Sequence, residues 1–486
     1  MTTLNTYIKW LFIGVLSMGL SNCSDPWDDR SAEGDQNLQK NLSERLLENT
    51  ETSSFGQLLV ETGYDSILKA SKTFTVWAPT NEAMNQVDES ILSDLEKSRL
   101  FIKNHITLSA YSSVNSEDTL TIHMLSNKYL QFIEGNRIAG SQVVTADQYT
   151  SNGIFYTIDQ ALEVRPNIWE YLEENKADYS VGAYLYSLDD FNIYHRRDSI
   201  AKANPDAQTL FADSLTNSYL HNVYNLNNEQ NKYTFLLMEN DGFESETEKL
   251  VPYLNKGAVD STKIYAQYFA LRDMTFQGIY SRENLPDTLV SKFGVKVPLD
   301  QSQILEEIPV SNGIVYRMST VDVPLEKRLL TTEIQGEEPK SFSRNDKEAS
   351  TFYRERPDPQ GGIVYDIMVQ NHGAAQFAIN YEADDMYSTT YQVYWRAVND
   401  IQSNTFQQRL RIGGTLSEDG SEIVDPIALL PYTDVPPDVY DEVYVGEFTL
   451  EEAGKIDFIS LIAANTGSNG NNTLTLDYLK LIPVIQ

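Results

Sequence analysis

The hexapeptide Ser151-Asn152-Gly153-Ile154-Phe155-Tyr156 returns as Ser311-Asn312-Gly313-Ile314-Val315-Tyr316. Asparagine followed by glycine is a strong short hairpin signal, because both residues tolerate the positive φ that a type I′ turn demands. Behind each turn, Ile154, Tyr156 and Ile158, or Ile314, Tyr316 and Met318, share one strand face. A partner segment repeats upstream. Thr73-Phe74-Thr75-Val76-Trp77-Ala78-Pro79-Thr80-Asn81 answers to Lys232-Tyr233-Thr234-Phe235-Leu236-Leu237-Met238-Glu239-Asn240. Asn81 and Asn152 lie 71 positions apart, Asn240 and Asn312 72 apart. Two matches at nearly equal separation predict a duplicated domain.

These stretches carry a family resemblance. Thr75 to Ala83 resembles the first signature box of fasciclin (FAS1) domains, and Ser151 to Asp159 resembles the second. The resemblance implies two tandem FAS1-like α+β domains, over residues 38–165 and 166–330. The second copy diverges at Met238-Glu239-Asn240-Asp241 and has an insertion at about 186–232. Within that insertion Leu210, Phe211, Leu215, Tyr219 and Leu220 fall near helical spacing. FAS1 domains often carry a central Tyr-His motif linked to cell adhesion. Here Asn104-His105-Ile106 occupies the comparable region and the second copy offers Tyr268-Phe269-Ala270, so His105 reads as a hydrogen-bonded structural histidine.

Residues 331–359 are charged and contain Ser and Pro, the composition of a connector. Residues 360–486 change to short alternating runs: Ile363-Tyr365-Ile367, Gln376-Ala378-Asn380, Tyr391-Val393-Trp395, Arg409-Arg411, Val443-Val445 and Leu474-Leu476-Tyr478. Clusters of Gly, Asn, Asp and Pro separate them, which is the rhythm of an antiparallel β-sandwich. The closing Leu474–Val484 run resembles the last strand of galactose-binding-type jelly rolls, a group that includes carbohydrate-binding modules. That resemblance implies a glycan ligand. Tyr391, Val393 and Trp395 share one face, which reads as core, with Gln392 and Tyr394 on the other. The loop residues Tyr387 and Tyr432 are the ligand-binding candidates, since an aromatic face packs on sugar C–H groups. A structural calcium near Asp477 is the one cofactor the resemblance raises.

The chain of 486 residues carries 37 Lys and Arg against 70 Asp and Glu. Such a surface repels phosphate backbones, so nucleic acid is excluded as a partner class, and a neutral glycan is favoured over an acidic one. With one cysteine, no intrachain disulfide can form. Cys23 follows a short apolar stretch, Trp10 to Leu20, and Leu20-Ser21-Asn22-Cys23 resembles a bacterial lipobox. Residues 1–22 then read as a signal peptide and 23–37 as a lipidated cysteine with its tether. The expected location is the outer membrane, anchored by lipid at Cys23, with the acidic Asp25–Asp29 run resembling the surface-export signal of Bacteroidetes-type lipoproteins.

Catalytic spacings are absent: the sequence has no His-Glu-x-x-His, Gly-x-Ser-x-Gly or Walker loop, and the five histidines show no ligand spacing. The reading is a non-catalytic surface protein that binds an extracellular ligand, in a glycan-capture assembly with an outer-membrane transporter. An adhesion or scaffold protein acting through the FAS1 domains is the alternative.

Overall fold

The computed structural model describes residues 36–69, 73–113, 119–189, 216–418, 420, 422–464 and 473–486. Cys23, the signal segment and most of the tether lie outside these residues, as do Leu210, Phe211 and Leu215. The chain divides into two compact units, Met1–Arg165 and Pro166–Gln486.

In the first unit, Asn41 caps helix Leu42–Glu48 through a reciprocal capping box with Glu44. Helices Ser53–Thr62 and Tyr64–Leu68 follow, and then strand Phe74–Pro79. Pro79 ends the strand, and Thr80 caps the next helix by accepting from the Ala83 N–H at 3.1 Å. The Phe74 strand is buried throughout because both of its faces are covered. Phe74, Val76 and Ala78 pack with Leu42, Phe55 and Phe101 of the helices. Trp77 points to the opposite side, against Phe132, Ile138 and Tyr156 of the hairpins. Gly153–Ile158 lies parallel to the Phe74 strand at the centre of a seven-stranded sheet. The two signature boxes are therefore neighbouring strands.

The second unit repeats this construction. Gly313–Met318 runs parallel to Tyr233–Met238, and Asn167 with Glu170 forms the same capping box on helix Ile168–Glu174. Equivalent side chains make equivalent hydrogen bonds. The Thr75 hydroxyl accepts from Tyr111 N–H at 2.9 Å, and Thr234 accepts from Tyr280 N–H at 3.0 Å. The Tyr156 and Tyr316 hydroxyls each donate over 2.8 Å, to Tyr111 O and Tyr280 O. Asn81 Oδ1 accepts from Ser54 N–H at 2.9 Å, and Asn240 Oδ1 from Ser180 N–H at 2.7 Å. Of the insertion's expected helix, Tyr219 and Leu220 lie buried in the short helix Ser218–Asn222.

The repeated hairpins differ from the type I′ expectation. Ser151 and Asn152 hold the turn centre, and neither they nor Ser311 and Asn312 have positive φ. Gly153 and Gly313 instead begin the strands, at φ of 159° and 155°. The asparagine is used for its side chain. Asn152 Oδ1 accepts from Leu42 N–H and Asn312 Oδ1 from Ile168 N–H, each at 2.9 Å, which ties the first helix of each repeat to its last hairpin.

Residues 331–359 are part of the sandwich, a correction to the expected connector. Thr332–Gln335 pairs with Tyr478–Pro483, and Thr351–Pro357 pairs with Ile363–Val369. Glu333 and Glu355 are exposed, but Arg354 and Arg356 turn to the buried Asp366, a pairing that composition does not reveal. The sandwich is held to the second repeat within the same unit. The Arg272 guanidinium lies 3.6 Å from the Phe269 ring centre and 4.3 Å from that of Phe293, and it pairs with Asp385 at 2.5 Å.

Candidate functional site

One layer of the sandwich is an antiparallel sheet with strand order Thr332–Gln335, Tyr478–Pro483, Thr390–Arg396, Val443–Thr449. Its inward residues are core: Tyr391, Val393, Leu479 and Leu481 are inaccessible, and Trp395 joins them as expected. Alternation then sends Gln392, Tyr394, Tyr444, Glu447, Tyr478 and Lys480 to the outer face. Register brings them together. Tyr394 lies opposite Tyr444 on one side and Lys480 on the other, while Gln392 lies opposite Glu447. The Tyr394 and Tyr444 rings meet edge to face, 5.4 Å apart, and Tyr444 is 48% exposed.

Beside this pair, the Tyr478 hydroxyl donates to Glu442 Oε1 at 2.6 Å. Lys480 also pairs with Glu442, and its ammonium lies 5.2 Å from the Tyr478 ring centre. Donation from Lys480 and Tyr478 holds the Glu442 carboxyl below its usual range, so it stays an ionised acceptor. Burial, reinforced by that carboxylate, pushes the Tyr478 phenol up and keeps it protonated. The result is a face with three tyrosine rings, an amide, carboxylates and one ammonium. Aromatic faces with convergent hydrogen-bonding groups suit a sugar ring, whose C–H face is apolar and whose hydroxyls radiate from its edge.

The residues singled out from sequence fall elsewhere. Tyr387 is a correction: it is buried, its hydroxyl donates to Arg328 O at 2.9 Å, and its ring meets Phe269 edge-on. The residue follows a strand end that the second repeat covers, so its ring packs between repeat and sandwich. Tyr432 is half-buried in the other layer, with the Arg409 guanidinium 4.5 Å from its ring centre. The two are not brought together. Asp477 pairs with Arg396 at 2.9 Å, and burial pushes its carboxyl up to about 6. Among the described residues no group of three or more His, Cys, Asp or Glu is arranged to hold a metal ion. Tyr444 and Tyr478 were missed because their partners come from distant strands. The available signal was the outward position of Gln392 and Tyr394.

Residues 50–164 match the family model of the Fasciclin domain. This segment is a fasciclin domain. Among solved structures, the chain is similar to the FAS1 domain pair of the insect cell adhesion molecule Fasciclin I, at 16% identity. That match covers 58% of this chain and 100% of that one, with a TM-score of 0.24. It is also similar to the CBM36-1 domain of a multidomain xylanase from the hindgut metagenome of Trinervitermes trinervoides, at 15% identity over 32% of this chain and 100% of that one, TM-score 0.21. A family 35 carbohydrate binding module from Clostridium thermocellum matches at 14% identity, over 32% and 99%, TM-score 0.21. A search of curated proteins finds no match.

Within the fasciclin domain, His105 is fully buried. Its Nδ1 donates to Phe101 O at 2.8 Å, and its Nε2 accepts from Leu162 N–H at 2.9 Å. Burial pushes its pKa down to about 4, so the neutral ring is held between two backbone groups. It is a structural histidine. The counterpart in the second repeat is Met274: its carbonyl accepts from Leu236 N–H at 2.9 Å, as His105 O accepts from Trp77 N–H at 2.9 Å. The comparison with Tyr268-Phe269-Ala270 was out of register.

Proposed function

We propose that this chain is a non-catalytic, lipid-anchored cell-surface protein that holds a neutral extracellular glycan on the outer sheet face of its C-terminal sandwich. The observation that carries this reading is the pair of half-buried Tyr394 and exposed Tyr444, flanked by Gln392, Glu447 and Lys480 on three adjacent strands. One ring stacks on a sugar face while the carboxylates accept from its hydroxyls and the amide accepts from or donates to them. Glu442, Glu447 and Glu333 make the face acidic, which favours uncharged residues over uronates. The lipobox-like Cys23 supplies the anchor, and delivery to an outer-membrane transporter is the role this placement suits.

Isothermal calorimetry of the chain against neutral plant, fungal and host glycans tests the reading. Tyr394→Ala and Tyr444→Ala should each weaken the best ligand by about tenfold, or ~1.4 kcal/mol. Unchanged affinity in both variants would remove the site. A screen that finds no glycan ligand at all would favour a protein partner.

The anchor is tested separately. Cys23→Ala should move the protein from the membrane to the soluble fraction. Retention of the variant in the membrane would rule the lipid out.

A further inference from the structure

The sandwich is strongly acidic, with 25 Asp and Glu against 10 Lys and Arg from residue 331 onward. Nearly every cation in it is neutralised. Of the nine basic side chains described there, Lys340, Arg344, Arg354, Arg356, Arg396, Lys455 and Lys480 each have a carboxylate within 4 Å. The other two, Arg409 and Arg411, have none among the described residues. They stand on the strand Phe406–Ile412, two positions apart on the face opposite the core residues Leu410 and Ile412.

Glu422 acts on Arg411 only from beyond ion-pair distance. The Arg409 guanidinium rests on the Tyr432 ring. Arg411 makes only long bonds, Nη1 to Ile423 O and Nη2 to Ser460 Oγ, both 3.3 Å. The Nε of each is buried and has no hydrogen-bond partner. Burial, and next the neighbouring Arg409, weaken the ionised form of Arg411, and Glu422 offsets this only in part. Two guanidiniums so placed repel each other, and an oxyanion accepting from their Nη groups would relieve that repulsion.

We propose that Arg409 and Arg411, with Tyr432 behind them, form a binding site for an oxyanion: a carboxylate or sulfate, either free or pendant on a saccharide. This goes beyond the neutral-glycan reading and lies on the other layer of the sandwich, so either can fail alone.

The test is a calorimetric titration of the full chain at constant ionic strength with sodium sulfate, D-glucuronate and D-glucose. Saturable binding of sulfate or glucuronate is expected at about millimolar Kd, with no binding of glucose at this site. Glucuronate tighter than sulfate identifies a sugar carboxylate as the ligand group, and the reverse identifies a sulfate or free inorganic anion. Arg409→Gln and Arg411→Gln should each weaken binding at least tenfold. Arg411→Lys, which keeps the charge and secures the fold, should weaken it severalfold by losing the fork. The Tyr394→Ala/Tyr444→Ala chain should bind the anion as the parent does. No saturable anion binding to the parent, or binding that survives the Arg409→Gln/Arg411→Gln double variant, overturns the proposal and leaves the pair as a brace for the Ile423 segment.

Discussion

Arg328→Met is expected to destabilise the unit Pro166–Gln486 by about 3–5 kcal/mol, the usual cost of removing one partner of a buried ion cluster. Arg328 is almost inaccessible. Its Nη2 donates to Glu246 Oε2 at 2.8 Å, and its Nη1 donates to Asp273 Oδ2 at 3.0 Å and to Phe269 O at 3.2 Å. Both carboxylates are equally buried. Among the described residues Asp273 keeps the Ser291 hydroxyl as its side-chain partner, at 2.6 Å, and Glu246 keeps Lys249. Methionine fills much of the arginine volume, so the loss is electrostatic and not a cavity. Adding Asp273→Asn and Glu246→Gln to Arg328→Met should therefore recover a substantial part of the stability, because the stranded charges are gone. Urea unfolding of the three chains measures this. An Arg328→Met chain as stable as the parent, or a triple variant no better than the single one, would contradict the account. The sandwich should respond with the repeat, since Tyr387 donates to Arg328 O and Arg272 pairs with Asp385.

Gly313→Ala should cost about 3 kcal/mol, at the upper end of overpacking penalties, despite adding one methyl group. A Cβ at Gly313 would stand 1.8 Å from Tyr233 O, and one at Gly153 would stand 2.2 Å from Phe74 O. In both repeats the obstacle is the backbone of the central parallel strand, which cannot yield as a side-chain tip does. Tyr233 N–H donates to Asn312 O at 3.0 Å at the same point, so separating the strands also breaks that bond. The hairpin reading from sequence makes a different forecast. If positive φ in a turn were the reason for glycine, Gly313→Asn would be far milder than Gly313→Ala, since asparagine tolerates the left-handed region. With close approach as the cause, asparagine should be at least as damaging as alanine. Thermal unfolding of the two variants separates the causes, and a near-neutral Gly313→Asn would restore the turn explanation.

Local pattern carried much of this protein. The duplication was legible because Thr75 and Thr234, Asn81 and Asn240, Asn152 and Asn312, and Tyr156 and Tyr316 make matching hydrogen bonds that other side chains would not make. The sandwich was legible because period-2 alternation is a property of consecutive residues, and it placed Trp395 inside and Tyr394 outside without any coordinates. What alternation cannot supply is the neighbour across the ladder. Tyr394 meets Tyr444 and Lys480 only because antiparallel registers align strands that are distant in sequence. For the same reason Tyr387 looked like a loop aromatic until the second repeat was seen to cover it. Charge behaved likewise. Net acidity is a sum over the sequence, whereas the lack of an ion-pair partner for Arg409 and Arg411 among the described residues is a matter of distances. Composition set the chain's acidic character. The strand register and the packing of the sandwich on the second repeat decided which aromatics and which cations face the solvent together.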